Sequence, residues 1–362
     1  KLSLTFDWYT RTTSDMLSAG ITLPSSFGTS SPRRNFGEMQ TRGWELEVGW
    51  NHSFNNDSYI NLTGLLSNFK EEVTRFAGST KQIPSSNAAY HHVWGEYYEG
   101  MVLGEIWGYE TDRLFTKDDF QQDANGELLV DGDGKYILKE GIPDQSIFEE
   151  GNFFYGPGDV KYKDLNGDGV IDYGSNTIDD PGDRRLIGNS TPKYQYGFRI
   201  EGGWKGFDAS IFVQGVGKRE FWANGPIFVP GYRPHEAWFS HQLDYWTPEN
   251  PDAYYPRPTN QHQQAPEQRN FLPQTRYLLD MSYLRIKNIT LGYTLPADIS
   301  NKALIQNLRV YVSAENLFEF DNLNLPLDPE MDYTSSGLND PNSFGRVYPF
   351  RRTLSVGLNV TF

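Results

Sequence analysis

The last residues of the chain alternate between apolar and polar side chains. Because successive side chains of a β-strand point to opposite faces, this spacing predicts a terminal strand from Phe350 to Phe362 with one apolar and one polar face. A terminal strand that ends on an aromatic residue is typical of an outer-membrane β-barrel, although a strand of a β-sandwich alternates in the same way. The apolar positions are Leu354, Val356, Leu358, Val360 and Phe362.

Alternation of period two recurs along the chain and predicts eight strands in all. In the sixth strand, apolar residues occupy even positions up to Ile286 and odd positions from Ile289. This change of phase predicts a β-bulge near Lys287 and Asn288. The predicted strands lie near residues 2–8, 41–54, 57–70, 194–201, 207–213, 284–295, 308–314 and 350–362.

The connections between these strands are alternately long and short. The short ones are residues 55–57, 202–206 and 296–306, and the long ones are residues 14–40, 71–192, 220–280 and 320–349. Outer-membrane barrels have short periplasmic turns and long extracellular loops. The pattern therefore predicts a periplasmic C-terminus, and it predicts that the specific chemistry of the chain lies in the long extracellular loops.

The composition agrees with a membrane wall that is built from strands. Aromatic residues make up 15% of the chain, yet only 37% of residues are hydrophobic and the mean hydropathy is -0.61. A transmembrane helix needs about 20 consecutive apolar residues, and the sequence has no such run. A barrel wall needs an apolar residue only at every second position, so it can cross lipid while it looks hydrophilic on average.

Charge and cysteine content exclude other classes of protein. The net charge of -15 argues against nucleic acid as a partner. The absence of cysteine argues against a disulfide-rich secreted scaffold. No signal peptide precedes Lys1, and the chain begins inside a strand pattern, so we expect an N-terminal portion of the protein to be missing.

One acidic segment has the spacing of a calcium-binding loop. The oxygen-bearing residues at positions 1, 3, 5, 7 and 9 of an EF-hand-like loop are Asp164, Asn166, Asp168, Val170 through its carbonyl, and Asp172. Gly169 permits the sharp turn at position 6, but position 12 is Ser175 instead of glutamate. A further ligand would have to be Asp179, Asp180 or Asp183. The segment predicts a Ca²⁺ site, and the alternative is a hydrated acidic turn.

The expected role of this ion is to hold together a loop that is too polar to fold around a core of its own. A second acidic run, Asp131-Gly132-Asp133-Gly134, lacks further spaced oxygens, so it is interpreted as the tip of a turn. The six histidines are scattered, and His91 and His92 would point to opposite faces of an extended segment, which argues against a zinc site. The sequence has no evident catalytic set, and we expect no enzymatic activity.

Aromatic residues of the long loops are candidates for contact with a substrate. Tryptophan and tyrosine rings can stack on sugars or hold peptide side chains, but they also pack loops together or form the aromatic belt at the membrane surface. Both interpretations stay open for each ring. The four candidate substrate-binding residues are Trp94, Trp107, Trp222 and Trp238.

Several short runs, spread along nearly the whole chain, carry a family resemblance. They are Asn35 to Met39, Thr41 to Leu46, Gly100 to Phe115, Gly158 to Asp172, Gly188 to Phe198, Lys205 to Asp208, Trp246 to Arg257, Tyr283 to Pro296, Leu308 to Phe318, Asp328 to Glu330, and Tyr348-Pro349. In this order they resemble the SusC/RagA-like TonB-dependent nutrient transporters. The chain departs from the family pattern after Asp112, where Arg113 replaces an expected glycine. The resemblance therefore does not predict the conformation of the turn at this position.

The resemblance implies an all-β fold, a transmembrane antiparallel β-barrel of roughly 22 strands. Residues 1–362 would be its C-terminal part, an arc of about eight strands, without the plug domain and the segment that engages the TonB complex. The implied function is active import of an oligomeric nutrient, a glycan or a peptide, across the outer membrane of a Gram-negative bacterium. A SusD-like surface lipoprotein would cover the loops 71–192 and 220–280 as a lid.

A self-contained barrel is the alternative. Eight strands can close on themselves and display their loops as an adhesin or binding surface in the same membrane. Small barrels fill their lumen with side chains, however, and several predicted strands carry glycine. The two architectures differ in one pairing, because only a closed barrel joins the strand near Lys1 to the terminal strand.

Overall fold

The computed structural model describes residues 1–18, 26, 28, 34–55, 58–76, 81–83, 97–149, 153–223, 225–232, 237–258, 269–333 and 347–362. In chain order its strands are β1 (Leu2–Ser18), β2 (Arg34–Asn55), β3 (Ser58–Arg75), β4 (Glu105–Tyr109), β5 (Thr111–Leu114), β6 (Val160–Tyr162), β7 (Arg184–Asn189), β8 (Lys193–Trp204), β9 (Phe207–Lys218), β10 (Glu220–Phe221), β11 (Leu279–Asp280), β12 (Tyr283–Thr294), β13 (Asn307–Asp321) and β14 (Thr353–Thr361). A single-turn helix, α1 (Ala297–Ser300), lies between β12 and β13. Short 3-10 turns span Lys117–Asp119, Ser146–Phe148, Ser240–Gln242, Arg269–Phe271 and Asn301–Ala303. In these ranges, no helix combines the length and the apolar character that a membrane crossing requires.

Eight long strands form one antiparallel sheet, which we call the wall. Their order in the sheet is β1-β2-β3-β8-β9-β12-β13-β14. All eight strands predicted from alternation are present, and each pairs with its sequence neighbour among the eight. The prediction of an all-β membrane wall is confirmed.

One face of the wall is apolar and exposed. On β1 the exposed fractions are 69% for Leu2, 66% for Leu4, 56% for Phe6 and 71% for Trp8. Such a face would be unstable in water and is the face that contacts lipid hydrocarbon in a membrane barrel. The other face lines the lumen, and on β1 it carries Ser3, Thr5 and Asp7.

The predicted bulge in β12 is confirmed. The register of β12 shifts between Ile286 and Asn288 against both of its neighbours, β9 and β13. Relative to β9 the extra residue is Lys287, whereas relative to β13 the extra residue lies on β13 between Glu315 and Phe318. The shift restores the phase of the apolar face of β12. Leu284 before the bulge and Leu291 after it therefore lie on the same side of the sheet, opposite Phe320 and Val312 of β13.

The wall is not closed on itself. Within the described residues β1 pairs with β2 alone, from Leu2 opposite Trp50, and β14 pairs with β13 alone. Both outer edges carry unpaired backbone groups, each of which costs several kcal/mol in hydrocarbon. An open arc is therefore confirmed, and the closed eight-stranded barrel is not the structure of this chain.

Tyrosine rings lie over glycines on the lumen face of the wall. Tyr311 is directly opposite Gly357, and a Cβ atom built on that glycine would lie 2.1 Å from a ring carbon. Tyr59 covers Gly203 in the same way, with 2.4 Å between the built Cβ and the ring. The glycines thus allow large rings to lie along the wall, which keeps the lumen open.

The hydrophobic core lies in the long connections and not beneath the wall. We call the described residues 97–192, 219–282 and 322–333 the loop body. Small two-stranded sheets within it pair β4 with β7, β5 with β6, and β10 with β11. Its core contains side chains from all three segments, including Phe115, Tyr162, Phe228, Tyr277 and Leu327.

Candidate functional site in the long loops

Aromatic rings build much of the core that the three segments of the loop body share, and the rings around Tyr277 all lie in residues 219–282. Phe271 stacks on Tyr277 with ring centroids 5.1 Å apart, and Phe228 meets both rings edge to face. Tyr277 also stacks on Tyr255 at 6.1 Å. This core corrects the expectation that loop 71–192 is too polar to fold around a core of its own. The loop contributes Ile106, Phe115, Phe120 and other buried side chains, and it shares its core with the other two segments.

A buried carboxylate, Asp159, connects two segments of the loop body. The side chain is fully buried, and its oxygens accept hydrogen bonds from Arg257 Nε at 2.8 Å, Asn270 Nδ2 at 2.8 Å and the Gly156 N–H at 2.8 Å. Asn270 in turn accepts from the Val160 N–H at 2.8 Å. Four hydrogen bonds thus meet around Asp159 and Asn270, and they make a buried carboxylate tolerable there.

Arg113, at the departure from the family pattern, has a structural role. It lies on β5 and forms a two-point ion pair with Asp119, with both N–O distances at 2.6 Å. Burial alone would raise the pKa of Asp119. The hydrogen bonds from Arg113 and from the Thr116 N–H, together with the charge of Lys161, outweigh burial and hold that pKa well below its usual value.

A third ionic cluster fastens the last long connection to the wall. Arg285 of β12 is 3% exposed, and its guanidinium contacts Glu319 on β13 as well as Asp328 at 2.7 Å and Glu330. Lys287, the bulge residue, bonds Glu330 at 2.8 Å. The motif Asp328-Pro329-Glu330 is thus held against the lumen face. The sequence signals for this cluster are an arginine within the predicted sixth strand and the acidic pair Asp328 and Glu330, but the sequence does not show that they meet.

The predicted calcium loop forms a compact turn. Asp164 accepts hydrogen bonds from the N–H groups of Gly167 at 2.5 Å and Gly169 at 2.9 Å. Asn166 Oδ1 accepts from the Asp168 N–H at 2.9 Å, and Asp168 Oδ1 accepts from the Val170 N–H at 2.8 Å. These hydrogen bonds form the turn from protein atoms alone. In the part of the chain that the structure describes, no three His, Cys, Asp or Glu side chains form a metal-holding group.

The three candidate additional ligands lie in different surroundings. Asp183 is fully buried and accepts from the N–H groups of Leu165 at 2.7 Å and Asp172 at 2.9 Å, so it joins both flanks of the turn. Burial, together with the neighbouring Asp164 carboxylate, raises the pKa of Asp183 despite these donors. Asp180 instead holds Ser175, and Asp179 pairs with Lys81 at 2.8 Å. Asp183 is therefore the nearest of the three to a ligand position, and the calcium site stays a prediction.

The run Asp131-Gly132-Asp133-Gly134 is the tip of a turn, as interpreted. Asp131 Oδ1 accepts from the N–H groups of Asp133 at 2.9 Å and Lys135 at 3.0 Å. Asp123 caps an equivalent turn by accepting from Asn125 at 2.8 Å and Glu127 at 2.9 Å. The chain thus uses the same local chemistry, an aspartate before Asn-Gly or Asp-Gly, at more than one turn.

The candidate tryptophans are in different environments. Trp222 is 5% exposed and packs edge to face on Phe228, which favours the packing interpretation over contact with a ligand. Trp107 is half-buried on β4, opposite Leu186 of β7. Trp238 is half-buried and meets Tyr245 edge to face at 5.4 Å. Trp94 lies outside the described residues.

The chain is similar to receptors of the bacterium Formosa agariphila. It is 27% identical over 369 residues to TonB-dependent receptor P3, covering 100% of this chain and 32% of the relative. It is 25% identical over 364 residues to TonB-dependent receptor P26, covering 98% of this chain and 32% of that receptor. The chain thus spans about a third of the length of these curated relatives. No protein-family model matches it.

Solved structures of a RagAB peptide transporter share the fold. One superposes with a TM-score of 0.61 at 21% identity, covering 100% of this chain and 33% of the transporter chain. The 'closed-closed' state of the RagAB peptide importer gives a TM-score of 0.62 at 20% identity. These matches support the same arrangement of wall and loops.

Proposed function

Taking the chain as the C-terminal part of a SusC/RagA-like TonB-dependent receptor, which both its sequence and its fold resemble, we propose that it forms part of an outer-membrane importer. The cargo is an oligomeric nutrient, a glycan or a peptide. Import is driven through the TonB complex, and a SusD-like lipoprotein covers the loops. The single observation that carries this proposal is the open wall, because a larger barrel would satisfy both of its edges.

The lumen face supports passage of a polar solute. Tyrosine rings lie along the wall over glycines, as Tyr311 does over Gly357, instead of filling the interior. A small closed barrel of eight strands has room only for its own side chains. The surface-adhesin alternative requires such closure, and β1 does not pair with β14 in the described residues. Import is therefore the better supported function.

The packing of the loop body supports the proposal that a lipoprotein lid covers it. Three long connections pack into one unit at the long-loop end of the wall, so a partner would meet a preformed surface and not three separate loops. Leu243, 61% exposed, is one apolar side chain that this unit presents to solvent. Its neighbour Gln242 is buried and donates to the carbonyl of Pro226 at 2.8 Å, which fixes the segment that carries Leu243. Leu243 is therefore an exposed position on a fixed segment, at which a substitution can probe contact with a lid without disturbing the core.

Copurification from the native outer membrane tests the lid. Receptor solubilised in mild detergent should bring down a surface lipoprotein, and the variant Leu243→Asp should retain several-fold less of it. The matched control is Leu304→Asp, an equally radical change at an 87% exposed position at the other end of the wall. Equal loss in both variants, or no lipoprotein with the parent receptor, would contradict the lid.

Uptake by living cells tests import itself. Cells that lack the receptor gene should lose growth on one class of oligomer, either glycan or peptide, and regain it when the gene is restored. Dissipating the proton gradient should stop uptake but leave binding at the cell surface. Normal growth of the deletion strain on every oligomer that the parent strain consumes would contradict the proposal.

A further inference from the structure

The lipid-facing side of the wall contains an apolar groove of about 680 Å³. Its floor and sides include Ile60, Ile200, Ala209 and Leu291, and its rim includes Trp204 and Tyr293. These residues belong to β3, β8, β9 and β12, which are interior strands of the wall. Neither open edge of the sheet borders the groove, so the groove is complete in this chain.

Small residues create the groove. Across four neighbouring strands, Ile60 lies opposite Gly202, Gly202 opposite Ala209, and Ala209 opposite Leu291. The two central positions are thus a glycine and an alanine between large aliphatic side chains. The groove lies at the end of the wall that carries the short connections, and it crosses the sheet from Ile60 on β3 to Val312 on β13. Its lining is mainly apolar, and a flexible hydrocarbon chain suits such a surface.

A cation lies at the end of the groove nearest the short connections. Lys205 forms the tight turn between β8 and β9, and its ammonium lies 5.4 Å from the centroid of the Trp204 ring. Tryptophan at this level is typical of the boundary between hydrocarbon and head groups, where lysine attracts anionic lipid. The acidic residues that line the groove have partners of their own: Asp208 pairs with Arg309, with Nε and Oδ2 2.8 Å apart, and Glu201 pairs with Arg199 at 3.5 Å. The ammonium group of Lys205 can therefore pair with an anionic ligand.

We propose that this groove is a binding site for one anionic phospholipid. An acyl chain occupies the groove over Gly202 and Ala209, and the phosphate contacts Lys205 beside the Trp204 ring. The site is independent of the import proposed above, because it depends on the outer face of the wall alone. A lipid held in this groove would stay bound, whereas the other lipids of the surrounding bilayer exchange freely.

Native mass spectrometry of the whole receptor tests this site. Delipidated receptor in detergent is titrated with phosphatidylglycerol or with phosphatidylcholine of the same acyl chains. The parent should bind one phosphatidylglycerol molecule in preference to phosphatidylcholine. Lys205→Gln keeps the aliphatic stem but removes the charge, so the preference should fall about fivefold, as expected for one lysine near a membrane surface. Lys205 is exposed on a turn, so this variant leaves the strand pairing intact.

Filling the groove is the second test. Gly202→Leu places a side chain where the acyl chain lies, and it should abolish the bound lipid of either head group. The matched control is Gly64→Leu on β3, which also faces outward, opposite Phe198, but does not line the groove. Retention of the lipid by Gly202→Leu, or a head-group preference that Lys205→Gln leaves unchanged, would overturn the proposal.

Discussion

At the scale of single residues, the described loops are held by carboxylates with several donors each. Asp159 bonds Arg257, Asn270 and Gly156, and Asp119 bonds Arg113 and the Thr116 N–H. Removing one partner of such a carboxylate leaves a buried charge uncompensated. The resulting loss in folding free energy is larger than the contribution of an exposed ion pair. The residue scale therefore predicts where the loop body is most sensitive to substitution and to pH.

The Asp119 ion pair should make the loop body sensitive to acid. Because the folded state lowers the pKa of Asp119, the ionised carboxylate stabilises the fold above its ordinary pKa of about 4, and this contribution is lost as the pH falls below that value. Asp119→Asn should therefore cost about 2 kcal/mol at pH 7, and the difference from the parent should shrink toward pH 3. Hydrogen exchange of residues 105–120, corrected for intrinsic rates, measures the free energy of opening. Asp118→Asn, an exposed neighbour, is the control, and a difference from the parent that does not change with pH would contradict the assignment.

Calcium should protect the turn from Asp164 to Asp172 if that turn binds the ion. Replacing Asp164 and Asp168 by asparagine keeps the shape but removes two negative charges, so titration with Ca²⁺ should no longer slow proteolysis of residues 153–192. The control variant replaces Asp131 and Asp133 in the same way, in a turn of the same chemistry without further oxygens. If Ca²⁺ protects the parent and the Asp164/Asp168 variant equally, the calcium hypothesis is wrong.

At the scale of elements, alternation predicted the wall well because lipid and lumen impose it on every strand. The bulge at Lys287 was visible for the same reason, since it moves apolar residues from even to odd positions. The ends of the strands were harder to predict from the sequence. β1 continues to Ser18 and β3 to Arg75, past the predicted ends at residues 8 and 70, because backbone pairing persists where the side chains turn polar. The loop body was not predicted, because bonds such as the one between Asp159 and Asn270 join residues 111 apart and leave no period in the sequence.

Because the Tyr311 ring lies over Gly357, we expect a single added methyl group at Gly357 to destabilise the wall. Gly357→Ala would place Cβ 2.1 Å from a ring carbon of Tyr311, so the ring must move, at a cost of about 1–3 kcal/mol. Gly64→Ala is the control, because its Cβ would meet Phe198 at an ordinary 3.7 Å. Urea unfolding of the receptor in lipid vesicles measures both. In a Tyr311→Ala background, Gly357→Ala should cost nothing further, and a persistent cost there would show that the ring is not the cause.

At the scale of the whole molecule, the described chain has two parts, one built to face lipid and one built to fold in water. The wall exposes its apolar face to lipid, whereas the loop body buries Phe271, Tyr277 and their neighbours away from water. Strand pairing holds one part, and a hydrophobic core holds the other. The two parts should therefore respond separately to substitution.

A core substitution in the loop body should leave the wall assembled. Phe271→Ala removes a ring that is 2% exposed and should cost the loop body about 3–5 kcal/mol. Protease should then cut the long loops sooner, while the heat-dependent shift in gel mobility that reports an intact barrel should persist. Phe239→Ala, at a 41% exposed position, should change neither measurement. Simultaneous loss of both signals in Phe271→Ala would show that wall and loops unfold as one unit.

The shared core of the loop body also sets an order of assembly. Its segments come from three connections that are far apart in the chain, and the last of them contributes Leu325, Leu327 and Tyr333. These side chains reach the core only when the segment between β13 and β14 packs against the earlier connections. Until that moment the aromatic rings of the earlier loops lack part of their cover and are exposed to chaperones and proteases. The core of the loop body is thus complete only when the β13–β14 hairpin is in place, so the folded state of the early loops depends on a late part of the sequence.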